Sequence, residues 1–205
     1  LSAPPAGLPS GAMARGASML VAGPRGAGKT TMASALLWEL PDTTRLLAIE
    51  DTPELPVRAL QAAGRDVQRL EAASDPDATV DPATALRTAL RFGNGALAVG
   101  EVRGEEAAVL YEAMRVGAAS DTVIGTIHGD GYEGVKERVV ADLGVPASSF
   151  AATDLLVTLA PARSGKRVTK IQEVLADESA TLYETAGPEL RPTARIERGN
   201  SRLLS

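Results

Sequence analysis

The chain has 205 residues, 44% of them hydrophobic and 3% aromatic, no cysteine, and a formal net charge of −5. That length holds one well-buried α/β domain with at most a small appendage, and the acidic balance argues against a protein whose main work is coating nucleic acid. Without cysteine there are no disulfides and no thiolate metal sites, and no apolar run approaches the ~18 residues of a membrane span.

In chain order, Leu1–Gly16 is rich in Pro, Ala and Gly and reads as an extended lead-in, with residues 1–17 acting as a linker. It lacks the basic start and apolar core of a signal peptide. No initiator Met precedes it, so the sequence reads as a piece of a longer protein. Ser18–Ala22 is a buried strand, and Thr30–Leu40 a helix closed by Pro41. Between them Gly23, Pro24, Arg25, Gly26, Ala27, Gly28, Lys29, Thr30 and Thr31 match the G-x-x-x-x-G-K-[ST] phosphate loop in its strand–loop–helix context. Backbone N–H groups in such a turn face a polyphosphate, and the helix N-terminus behind adds partial positive charge. Lys29 is placed for the outer phosphates and Thr30 for Mg²⁺.

Arg45–Ile49 is an apolar strand ending on Glu50-Asp51, after which Pro53 and Pro56 impose an extended turn. Val67–Ala72 alternates as a half-buried strand, and Asp75–Asp81 is a polar loop. Pro82–Phe92 is a helix with Asp81 as N-cap and Pro82 at its first position. Ala96–Val99 is a short buried strand, Glu105–Val116 a helix, Asp121–Ile127 a strand and Tyr132–Leu143 a helix closed by Gly144 and Pro146. Asp154–Ala160 and Val168–Leu175 are strands around a basic hairpin, Arg163–Lys170, whose plain reading is a solvated loop. Lysine is scarce, occurring only at Lys29, Lys136, Lys166 and Lys170. Residues 18–176 form the core, and 177–205 read as a partly ordered C-terminal appendage. Strands alternating with helices, and apolar without interruption, predict a mostly parallel sheet with helices on both faces.

In such sheets chemistry collects at the carboxyl ends of the strands. Four polar clusters stand there: the phosphate loop, Glu50-Asp51, Glu101-Val102-Arg103 and Thr126-Ile127-His128. Each alone has an ordinary structural explanation; in this order behind a phosphate loop they suggest one site. Hydrolysis of a nucleoside triphosphate needs cations on the developing charge and a carboxylate to orient water. Glu101 is the first candidate for that carboxylate. Glu50 supports it or acts through Mg²⁺ and its waters, so that Thr30, Glu50 and Glu101 make up the metal set. Arg103 meets phosphate or braces Glu101, and His128 donates toward the γ-phosphate.

The segments Gly23–Thr31, Ile49–Leu55, Val99–Gly104 and Gly125–Gly129 resemble the Walker A, Asp box, atypical Walker B and His box of the type II/type IV secretion ATPase superfamily, the motors of secretion systems, type IV pili and the archaellum. The wording of Ala118–Asp130 and Leu143–Pro146 is similar to its archaeal branch. The resemblance implies a RecA-like P-loop core, ATP and Mg²⁺ as cofactors, a hexameric ring in the cytoplasm, and docking on a polytopic membrane platform. It assigns phosphate and metal contacts to Lys29 and Thr30, the Asp-box carboxylate to Glu50, the catalytic glutamate to Glu101, the following arginine to Arg103 and the His-box role to His128. The Asp of an ordinary Walker B is missing, as in that family. Members carry an N-terminal domain that supplies arginines, and only Leu1–Ala17 precedes the core here. The competing readings are a RecA-like nucleic-acid translocase, disfavoured by acidity and few aromatics, and a nucleotide-gated scaffold with little turnover.

Overall fold

The structure, a computed structural model, describes residues 3–73, 80–92, 95–116, 122–162 and 165–193. β1 (Ser18–Ala22), β2 (Leu46–Glu50), β4 (Ala96–Val99) and β5 (Thr122–Ile127) are buried at every position, as strands covered on both faces must be. β3 (Val67–Glu71) borders β2 at one edge and is only partly buried. β6 (Leu155–Ala162) lies parallel to β1 on its other side. From there β7 (Gly165–Val174), β8 (Ser179–Ala186) and β9 (Glu189–Pro192) continue the sheet antiparallel. Among the described residues the order is β3-β2-β4-β5-β1-β6-β7-β8-β9.

Successive strand residues feed two apolar layers. Met19, Val21, Ala48 and Ile124 join α1 (Ala3–Ala14), α2 (Lys29–Leu37) and α3 (Val57–Ala62) on one face. Leu20, Ile49, Leu97 and Val123 join α4 (Pro82–Ala89), α5 (Glu106–Val116), α6 (Gly131–Glu137) and α7 (Ala147–Phe150) on the other. Asp81 caps α4 by accepting from the Thr84 N–H at 2.8 Å, as its place before Pro82 predicts. Few aromatics are needed: Tyr132, Phe150 and Tyr111 stack in one cluster with centroids 5.6 and 6.1 Å apart, and aliphatic side chains fill the rest.

Four expectations are corrected. Residues 1–17 are not an extended linker, because α1 occupies Ala3–Ala14. Pro4 and Pro5 stand in its first turn, where a missing N–H costs nothing. Pro9 forfeits a helical bond, but burial of Leu8, Ala12 and Met13 against the core outweighs that loss. Nor is 177–193 an appendage: β8 and β9 complete the main sheet, and Leu182 and Tyr183 are core residues. Tyr132–Leu143 is not one regular helix, since α6 passes at Arg138–Asp142 into a π-helical turn, closed by the Leu143 N–H on the Arg138 carbonyl at 3.1 Å. The proline-bounded turn after Glu50 leads into α3, which starts at Pro56 as N-cap and buries Val57 and Leu60. The expected loop over 75–81 falls largely outside the described residues, and the basic loop expected over Arg163–Lys170 is shorter, because β7 begins at Gly165, with residues 163 and 164 outside the described residues.

If α1 is part of the core, Met13→Ala, at a position 1% exposed, destabilises the protein by about 2–5 kcal/mol. Urea unfolding of wild type and variant measures this; a freely hanging lead-in gives no change.

Candidate active site

The parallel ladders bring the strand ends to one edge of the sheet, with β1 and β5 ending together two residues beyond the level of Val99. Ile49 pairs with Val99, Val99 with Gly125, and Ala22 with Ile127. Hydrogen bonds past the ends tie the loops to each other: Gly100 N–H to the Ile49 carbonyl at 2.8 Å, Val102 N–H to the Thr126 carbonyl at 2.8 Å, and Gly23 N–H to the Ile127 carbonyl at 3.3 Å. All four polar clusters therefore open on one cleft of about 490 Å³, whose walls include Arg25, Lys29, Thr30, Glu50, Asp51, Glu54, Glu101, Arg103 and His128.

The phosphate loop is shaped by what has no room. A Cβ on Gly23 would stand 2.5 Å from the Leu159 carbonyl oxygen of β6, and Gly28 takes φ +94° to enter α2. Lys29 is 8% exposed and its ammonium donates to the carbonyls of Gly23 and Pro24 at 3.1 and 3.2 Å. Burial lowers its pKa, while the carboxylates of Glu101 and Glu54 act in the opposite direction. A buried cation facing carboxylates across a cleft is a ready partner for a phosphate.

Glu50 is 3% exposed, and both carboxylate oxygens are occupied. Oε1 accepts from the N–H groups of Glu54 and Leu55 at 2.8 and 2.7 Å, and Oε2 from Arg69 Nε at 3.1 Å. Glu50 thus pins the proline-bounded turn, and that turn presents Glu54, whose Oε2 accepts from the Thr30 hydroxyl at 2.8 Å.

On the next strand, Val102 is the pivot. It is 2% exposed and packs over Gly125, where a Cβ would meet its Cγ2 at 3.1 Å. Glu101 and Arg103 flank this plug. The Arg103 guanidinium pairs with Asp51 and lies 3.8 Å from Glu101 Oε2, while His128 Nε2 lies 3.1 Å from Glu101 Oε1. The buried Glu106 carboxylate caps the loop by accepting from the Arg103 and Gly104 N–H groups at 2.7 and 2.9 Å.

Lys29, Thr30, Glu50, Glu101, Arg103 and His128 therefore share one cleft, as do Arg25 and Gly26 of the loop. Gly28 and Thr31 face a second hollow on the other side of α2. Sequence reasoning gave no role to Glu54, Arg69 or Glu106, and named Asp51 only as part of the Glu50-Asp51 cluster. Glu54 carried a signal, the spacing of four from Glu50 across Pro53. Arg69 carried none, because its pairing with Glu50 depends on the β2–β3 register. The residues fit Mg²⁺, a hard cation that takes one or two protein oxygens and completes its shell with phosphate and water. Among the described residues no cluster of His, Asp and Glu is dense enough to hold a metal without a ligand's help.

Comparison with known proteins places this geometry. The chain is 38% identical over 101 residues to the type IV secretion system protein VirB11 of Brucella suis, covering 49% of this chain and 27% of VirB11. An uncharacterized protein of Methanocaldococcus jannaschii is 33% identical over 125 residues, which cover 61% of this chain and 44% of that protein. The chain thus spans less than half the length of these relatives. Among solved structures, the VirB11 ATPase of the Brucella suis type IV secretion system, in complex with sulphate, superposes with a TM-score of 0.66 at 26% identity, over 80% of this chain and 50% of that one. The Legionella pneumophila ATPase DotB shares the fold at a TM-score of 0.61 and 20% identity, over 79% and 46% of the two chains. The fold is the RecA-like P-loop core. The family described as type II/IV secretion system protein matches residues 10–191, and this chain, with its four strand ends closing on one phosphate loop, belongs to it.

Proposed function

We propose that this chain is the motor core of a secretion ATPase, binding ATP with Mg²⁺ on Gly23–Thr31 and hydrolysing it in the cleft between that loop and Glu101. The observation that carries the reading is the convergence of a buried lysine, the Thr30 hydroxyl and an exposed carboxylate flanked by Arg103 and His128 on one cleft. Lys29 and Arg103 oppose the charge that grows on the phosphates. Glu101 orients a water, whose oxygen attacks the γ-phosphorus as the bond to the β–γ bridging oxygen breaks, and the water's proton passes to the carboxylate. His128 holds Glu101 from the far side. Mg²⁺, when bound, neutralises phosphate charge; Thr30 and Glu101 are the residues to hold it, with Glu54 beside Thr30. Since both Glu50 oxygens are engaged by protein donors, its part in this scheme is to position the Glu54 turn.

Family membership supports a hexameric ring working at the cytoplasmic face of a membrane, on a polytopic platform protein of a secretion, type IV pilus or archaellum system. No described helix is long and apolar enough to cross a membrane itself. The relatives' greater length supports arginines from a further domain completing the site, worth about 10³–10⁵ in phosphoryl-transfer rate.

Lys29→Ala is expected to abolish ATP binding by calorimetry, whereas Glu101→Gln retains binding and lowers phosphate release by about 10²–10⁴-fold. Turnover unchanged in Glu101→Gln rules out the assigned water-orienting group. For the positioning pair, Arg69→Ala leaves the Glu50 carboxylate buried without its cation and destabilises the protein by about 3 kcal/mol. Adding Glu50→Gln to that variant restores part of the loss in chemical denaturation.

A further inference from the structure

Helix α6 opens on an idle cap. Asp130 stands at its N-cap, where an aspartate ordinarily accepts from the first turn, yet its side chain makes no capping bond. The Tyr132 N–H is met instead from β7, 40 residues along the chain, by Gln172 Oε1 at 3.1 Å. The other end of that amide is engaged as well: Nε2 donates to Ser179 Oγ at 3.1 Å and Thr181 Oγ1 at 3.4 Å, both on β8. A main-chain N–H can only donate, so it dictates which end of the amide faces α6. Gln172 is 6% exposed. The β7–β8 ladder shifts register between Ile171 and Gln172, the kind of irregularity that re-aims a strand side chain.

The segment held in this way is the one that carries His128. Residues 128–131 run from the end of β5 to the Tyr132 N–H. At their start the Ile127 carbonyl accepts from the Gly23 N–H at 3.3 Å. Between the two anchors there is little slack. A Cβ on Gly129 would stand 2.7 Å from Val135 Cγ2, and Gly131 takes φ +66° with Gln172 Oε1 3.5 Å from where its Cβ would be. From this turn His128 places Nε2 3.1 Å from Glu101 Oε1. No described residue of β7 or β8 lines the acidic cleft, so Gln172 acts on the site only through the turn.

We propose that Gln172 is a positioning residue for His128: by capping α6 in place of Asp130, it fixes the turn that aims the imidazole at Glu101. Its effect on turnover rests on the reading of Glu101 given above, whereas the placement of His128 is measurable without nucleotide.

His128 is the only histidine in the chain, so its imidazole nitrogens give unambiguous signals in long-range ¹H–¹⁵N NMR of the nucleotide-free full chain. Glu101→Gln marks the signature of a histidine that has lost its carboxylate. At the same pH, Gln172→Leu is expected to move the signals most of the way to that mark. Gln172→Glu, which still accepts from the Tyr132 N–H, keeps them near the wild-type position. Leu182→Ala weakens β8 from the opposite apolar layer and leaves them in place. With ATP and Mg²⁺, Gln172→Leu lowers single-turnover phosphate release by about tenfold, the scale of a misplaced group. ATP affinity is unchanged, because Lys29 and Thr30 are untouched, and Gln172→Glu restores the rate. A wild-type His128 signature in Gln172→Leu, an equal displacement in Leu182→Ala, or no displacement in Glu101→Gln overturns the proposal. Should Gln172→Leu not fold, Ser179→Ala combined with Thr181→Val, which frees the amide to turn from Tyr132, is read in its place on the same terms. If wild type hydrolyses no ATP, the catalytic reading of Glu101 falls, and the histidine signature still decides the role of Gln172.

Discussion

Everything in the cleft depends on the fixed parallel register of β2, β4, β5 and β1. A slip of one residue on any of these strands would turn its carboxyl-terminal polar group to the other face of the sheet. The register is held because each strand is buried on both faces, so no slipped arrangement keeps the apolar layers filled. The ladder bonds that run past the strand ends extend this control into the loops. Glu101 and Arg103 inherit their placement from Val102, and Glu54 inherits its own from Glu50.

This distributes charge in an uneven way. The cleft gathers Glu50, Asp51, Glu54 and Glu101 against Arg25, Lys29 and Arg103, and the sheet buries some of these groups while leaving others wet. Glu50 is enclosed, and both of its carboxylate oxygens accept hydrogen bonds from the protein. Glu101, Arg103 and His128 remain between about one-third and one-half exposed, linked to one another by contacts that an incoming phosphate can rearrange. Rigid support under an adjustable rim is the division that a site needs when binding and chemistry make different demands.

Much of this was legible in the sequence. Unbroken apolar runs of four to six residues located β1, β2, β4 and β5, and the polar residues after them located the cleft. What escaped was decided by tertiary contact. Three prolines in 3–14 argue for extended chain until the burial of Leu8, Ala12 and Met13 is counted. β8 is half polar and β9 is short, and they acquire their identity from the edges that β7 and β8 offer in turn. The donors that meet Glu50 were not legible, because sequence gives residue type and position along a strand, not how many donors a fold will turn toward an oxygen.

The close approach of Gly23 to Leu159 has a mechanical meaning. Glycine backbone against a carbonyl oxygen leaves no slack, so the loop that grips phosphate cannot shift toward β6 without pushing that strand. Strand β6 is joined to β7, β8 and β9 in turn by antiparallel ladders, with one register shift in each of the first two. The half of the sheet from β6 to β9 is therefore geared to the phosphate loop as a lever is to its fulcrum, while the acidic rim rides on β2 and β4 across the other side of β5 and β1. A displacement of β6 toward the loop therefore meets the Gly23 backbone at once, and the hairpins built on β6 share that boundary.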